Sequence, residues 1–137
     1  MIFVDTSAWF ARLVDNDRHY EAALKWTRSN RERLITTDYV IDETLTLLKA
    51  RGEHRSAEAF GKSMFEVPIA NIHYLSPDEI LAAWRVFRDF RDKAWSFTDA
   101  TSKVVIEKLG LRQAFAFDQH FLQFGSVEVV LTAKPRF

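Results

Sequence analysis

Short apolar runs alternate with longer stretches of helical periodicity along this chain. Ile2, Phe3 and Val4 read as a strand that ends at Asp5, and a helix is predicted from Ser7 to Val14. A second helix is predicted over His19 to Ser29, a second strand over Leu34 to Thr37, and a third helix over Asp38 to Arg51. Gly52 stands as its stop, since glycine readily takes the left-handed backbone that ends helices. A helix over Ser56 to Phe65 and a strand over Ile72 to Leu75 follow. Ser76, Pro77 and Glu79 form a strong helix start, with a cap, a first-turn proline and the acid of a capping box, for a helix reaching Lys93. Another helix spans Asp99 to Leu109 before Gly110, and AFAFD (114–118) and VEVVL (127–131) are the last strands.

Strands separated by helices require crossover connections. The predicted fold is therefore α/β: a mostly parallel central sheet of four to five strands with helices on both faces, in a single domain over residues 1–137. Binding sites in such sheets collect beyond the carboxyl ends of the strands.

Composition narrows the function classes. At 137 residues with 47% hydrophobic content, twelve Phe and four Trp, the chain suits one compact core rather than disorder. There is no cysteine, which excludes disulfides, thiolate zinc sites and a cysteine nucleophile, and fits a cytoplasmic setting. The opening MIFVDTSAW has no basic leader, and no apolar run nears the roughly 20 residues of a membrane span. Nineteen Lys and Arg balance nineteen Asp and Glu, so any contact with nucleic acid has to rest on local patches.

The acidic residues carry the candidate chemistry. Asp5 and Asp118 end two apolar runs and are aimed at the same rim of a parallel sheet, although aspartate after a strand is ordinary turn chemistry too. Glu43 shares its helix face with Val40 and Leu47, which sets a carboxylate into an apolar stripe unless it snorkels to water from the stripe's edge. Asp42 faces solvent with Thr46 and Lys49, and Asp38 reads as a cap. Asp99, in SFTDA, lies in a first helical turn, where an acid is favoured by the helix dipole in any case. Four such anions brought together repel one another, and a hard divalent ion, Mg²⁺ or Mn²⁺, relieves that best. The histidines His19, His54, His73 and His120 are scattered. Only His120, two residues after Asp118, bears watching.

The opening VDTSAW, the early helical acid of IDETL (Glu43), the SFTDA segment and AFAFDQHF near the end, in that order and spacing, resemble PIN-domain proteins over essentially the whole chain. The resemblance is nearest to the short VapC type, the toxin half of a toxin–antitoxin pair. It implies a PIN-like three-layer sandwich and metal-dependent hydrolysis of RNA. Asp5, Glu43, Asp99 and Asp118 would form the acidic site, with Asp5, Asp99 and Asp118 on the metal, Glu43 orienting or deprotonating the attacking water, and Ser7 supporting Asp5. The family usually carries a Thr two residues before its last Asp; here that position is Ala116, which puts the role of Asp118 in question. Implied partners are RNA, a VapB-like antitoxin and a second copy of the chain.

Substrate grip is less defined. Arg85, Arg88 and Arg91 recur at three-residue spacing, but Arg85 with Asp89 and Arg88 with Asp92 sit at pairing distance on a helix. Lys49, Arg51 and Arg55 cluster near a helix end. Trp9, Phe10 and Leu13, and Ile80, Trp84 and Phe87, read mostly as core. The alternatives are a PIN nuclease of housekeeping RNA maturation, an inert PIN-fold interaction module, and a phosphate-receiving signalling domain. The early acidic pair and mid-chain acceptor Asp of the last have no match here after Asp5, and Lys134 with Pro135 is too little to rescue it.

Overall fold

The structure is a computed structural model that describes residues 1–130; Leu131, Lys134 and Pro135 lie outside the described residues. In chain order the elements are β1 (Ile2–Val4), α1 (Thr6–Leu13), α2 (Tyr20–Ser29), β2 (Leu34–Thr37), α3 (Asp38–Ala50), α4 (His54–Phe65), β3 (Asn71–His73), α5 (Pro77–Asp89), α6 (Phe97–Leu109), β4 (Gln113–Phe115), α7 (His120–Gln123) and β5 (Glu128–Val130). The five strands are ordered β3-β2-β1-β4-β5 and every pairing is parallel. From β1 the chain steps outward to β2 and β3, then returns across the sheet to β4 and steps outward the other way to β5. Right-handed crossovers in opposite directions place their helices on opposite faces, as expected for an α/β sandwich. The carboxyl ends of β1 and β4, where the winding reverses, are the topological switch point.

β1 is fully buried, as a central parallel strand must be, and its Phe3 packs on Phe121 of α7 with ring centres 6.0 Å apart. On the other elements Trp9 meets Phe60 at 5.4 Å and Trp26 meets Phe115 at 4.1 Å, so aromatic pairs clamp helices to one another and to the sheet. Buried threonines close their own hydrogen bonds: Thr36 Oγ1 donates to the Val4 carbonyl, and Thr44 Oγ1 to the Val40 carbonyl.

Several local expectations are corrected. The cap of α3 is Thr37, whose hydroxyl accepts the Val40 amide at 3.1 Å; Asp38 instead accepts the Leu75 amide and ties α3 to the segment between β3 and α5. The capping box of Ser76 and Glu79 forms as predicted, but α5 ends at Asp89, four residues early. Arg88 pairs with its neighbour Asp89 at 3.0 Å rather than with Asp92. Trp84 and Phe87 are not core. They are 49% and 40% exposed, because α5 buries Glu79 and Ala83 instead, and Ile80 is only half-buried. The run 114–118 pairs only as far as Phe115, and the short α7 that follows was not expected. It forms because Phe121 and the neighbouring Phe124 have buried places to fill.

Candidate active site

Asp5 follows β1 at the switch point and is the N-cap of α1. Its Oδ2 accepts the Ser7 amide at 3.1 Å and the Ser7 hydroxyl at 2.7 Å, which fixes its rotamer. The Ser7 oxygen in turn accepts the Phe117 amide at 3.0 Å, fastening the loop after β4 to the start of α1. Ala116 is fully buried and offers no hydroxyl, so the loop takes its support from Ser7.

Asp99 serves two purposes at once. It is the third residue of α6 and reciprocates the Ser96 cap, with its Oδ2 accepting the Ser96 amide at 2.9 Å. The same oxygen lies 2.8 Å from His120 Nδ1, so helix-start chemistry and a place in the pocket coincide in one carboxylate. Asp118 accepts the His120 amide at 2.9 Å and stands 3.2 Å from His120 Nδ1. One donor atom from each of Asp99, Asp118 and His120 lies within 4.8 Å of the others, a spacing at which one cation can be shared.

Glu43 and Asp5 flank this triplet. Burial is the main cause that pushes the Asp5 carboxyl up to about 7; the hydroxyl and amide of Ser7 pull it down, and the charges of Asp99 and Asp118 push it further up. Glu43 is half-buried on α3 and is likewise raised, first by burial and then by the charges of Asp99 and Asp118, while the Thr6 and Thr98 hydroxyls oppose the shift. All four acids marked out in the sequence therefore share one electrostatic neighbourhood. His120 joins them, and the only sign of it in the sequence was its position two residues after Asp118. Of the other histidines, His73 bonds Glu79, and His19 stacks on Phe117, the residue before Asp118.

A crowd of hard oxygen donors in which two carboxyls resist ionisation is what a divalent cation relieves, and the residues present fit such an ion.

The PIN domain family matches residues 2–126. The chain is 35% identical over 129 residues to the 23S rRNA-specific endonuclease VapC20 of Mycobacterium tuberculosis, covering 94% of this chain and 98% of that protein. It is 37% identical over 90 residues to a VapC ribonuclease of Archaeoglobus fulgidus, covering 65% of this chain and 56% of that one. In structure it is similar to the crystal structure of M. tuberculosis VapC20, described as a sarcin-ricin loop cleaving toxin, with a TM-score of 0.87 over 94% of this chain and 98% of the other at 33% identity. FitAcB of Neisseria gonorrhoeae shares the fold, with a TM-score of 0.70 over 96% and 97% of the two chains at 14% identity. With a family match across nearly all of its length and a full-length relative of this kind, the chain belongs to the PIN-domain family, in its VapC-type branch.

Proposed function

We propose that the pocket formed by Asp5, Glu43, Asp99 and Asp118 is the catalytic site of this VapC-type ribonuclease toxin, and that it works with Mg²⁺, Mn²⁺ being a substitute. The observation that carries this reading is the convergence of four carboxylates at the switch point, close enough that Asp99 and Asp118 push up both Asp5 and Glu43. Asp5, Asp99 and Asp118 would hold the ion. When bound, it supplies charge neutralisation at the phosphate and a lower pKa for the attacking water.

The chain's own residues do the rest. Ser7 orients Asp5, and Ser96 and His120 orient Asp99. Glu43, with its raised proton affinity, takes the proton as the water oxygen bonds to phosphorus. The bond from phosphorus to the 3′-oxygen breaks, and that oxygen takes a proton from solvent. The products carry 5′-phosphate and 3′-hydroxyl ends.

The name of the VapC20 relative makes 23S rRNA the first substrate to try, inside the cytoplasm where ribosomes are found. Leu81, Trp84 and Phe87 on one side of α5 are exposed apolar groups that favour a protein partner, either a second copy or a VapB-like antitoxin. The test is to map RNA ends generated by the purified wild type, Asp5→Asn and Glu43→Gln in Mg²⁺. New 5′-phosphate ends in the wild type alone are expected; equal cleavage by Asp5→Asn removes the assignment.

A further inference from the structure

A cleft of about 590 Å³ opens beside the acidic pocket, with Asp118 and His120 in its lining. Its size is that of sites that enclose a small ligand. The same lining contains Arg18, His19, Arg51 and Phe117. Since the chain's 19 basic and 19 acidic residues leave no overall attraction for a polyanion, RNA has to be gripped by local groups.

Arg18 and Arg51 are such groups. Both are exposed, and neither forms an ion pair among the described residues. Arg18 Nε donates to His19 Nε2 at 3.1 Å, and the Arg51 guanidinium rests 5.5 Å from the centre of the Phe10 ring. Both guanidiniums are thus placed but not neutralised. Asp17 also lines the cleft, but its Oδ2 already accepts the His19 amide at 2.9 Å; Glu53 shares an adjoining hollow with both arginines. The same lining holds an aromatic pair. The His19 imidazole stacks on Phe117 with centres 4.4 Å apart and planes 9° from parallel, both rings half-buried.

We propose that this cleft is a nucleotide subsite for single-stranded RNA, in which Arg18 and Arg51 bind a phosphate flanking the scissile one and the His19–Phe117 stack receives an unpaired base. Guanidinium beside an aromatic platform is the chemistry that holds single strands, because a base is stacked while its phosphate is paired. Phe117 directly precedes Asp118, so a base held there lies next to the pocket that would cut. The inference rests on the ribonuclease reading, and concerns what grips the RNA rather than what cleaves it.

The test is fluorescence anisotropy of a short labelled single-stranded oligoribonucleotide with the full chain in Ca²⁺ over a salt series. The variants are Arg18→Gln/Arg51→Gln and His19→Ala, with Mn²⁺ affinity of each measured by calorimetry. The double variant is expected to flatten the dependence of log affinity on log salt by about 0.7, the contribution of the one phosphate the two arginines share. His19→Ala is expected to weaken binding roughly tenfold with the slope unchanged. Mn²⁺ affinity stays as in the wild type. Unchanged RNA affinity and slope in both variants overturn the subsite, and so does a loss that appears only together with lost Mn²⁺ binding. Competition by a polyglutamate peptide as strong as by unlabelled RNA overturns it too, since a base platform would then have no part. Wild-type binding with the expected dependence but no cleavage in Mg²⁺ upholds the subsite and removes the ribonuclease reading.

Discussion

The Ser7 hydroxyl donates to the Asp5 carboxylate at 2.7 Å, and its oxygen accepts the backbone amide of Phe117 at 3.0 Å, 110 residues further along the chain. A single side chain thus links the end of β1 to the loop that carries Asp118. It carries the parallel pairing of β1 with β4 past the strand ends, at the point where the sheet's winding reverses.

Ser7→Ala removes both bonds. The Phe117 amide loses its partner in a partly buried setting, a loss of about 1–3 kcal/mol. Asp5, without a donor that favours its ionised form, is expected to move to a still higher pKa. Urea denaturation should show the stability loss, and RNA cleavage should fall with its pH profile displaced to higher pH. A fall in cleavage with an unmoved profile would mean that Ser7 serves the loop but not Asp5.

Binding of the ion is linked to protons through Asp5. Its carboxyl sits at about 7 in the folded chain against 3.8 for an unperturbed aspartate, so without metal the folded state holds a proton that the unfolded state has released. This contribution to stability is complete below pH 3.8 and is lost as pH rises through about 7. A divalent ion has to displace that proton. Mg²⁺ or Mn²⁺ should therefore raise the unfolding temperature more at pH 8 than at pH 6, and Asp5→Asn should abolish the difference. A metal-induced rise equal at both pH values would separate Asp5 from the ion.

How much of this was legible in the sequence depends on how local each cause is. Asp5 and Asp118 were visible because a parallel sheet aims every strand's carboxyl end the same way. Asp99 was ambiguous, and the structure shows why: its one oxygen takes both the Ser96 amide and His120. His120 could only be suspected, since its partner Asp99 lies 21 residues away. The stripe of Ile80, Trp84 and Phe87 was read as core because helical periodicity marks a face to be covered without saying by what. The α7 turn escaped notice because four residues carry no periodicity; it exists through the packing of Phe121 on Phe3.

Glu79 offers a second titration with the opposite sign. It is 3% exposed at the start of α5, and burial opposes its charge. The Ser76 amide at 2.8 Å, His73 Nε2 at 2.9 Å and Lys108 Nζ at 3.2 Å outweigh that cost and hold it at about 2. These partners join α5 to β3 and to the last turn of α6, the opposite end of that helix from Asp99. A depressed carboxyl contributes stability that is fully present above pH 4.5 and lost as pH falls through about 2. Glu79→Gln should cost about 2 kcal/mol at pH 7 and flatten the acid limb of the stability curve between those values. An acid limb as steep as the wild type's would place that limb in other groups.

His120 is where the sequence was least informative about the pocket, and it yields the sharpest prediction. Its Nδ1 meets Asp99 and Asp118 at 2.8 and 3.2 Å, so it either contributes a donor to the ion or holds the two carboxylates at the spacing the ion needs. Both roles make metal affinity depend on the ring, and losing a group that orients ligands typically weakens a site about 10- to 100-fold. His120→Ala should lower Mn²⁺ affinity by that order in calorimetry. The folded state should persist, because the buried Phe121 that anchors α7 is untouched. His120→Asn separates the roles: its side-chain amide can still donate to a carboxylate but is a poor metal ligand. Recovery of affinity in His120→Asn assigns the ring to positioning Asp99 and Asp118, and failure to recover assigns it to the ion. Unchanged Mn²⁺ affinity in His120→Ala would remove it from the site altogether.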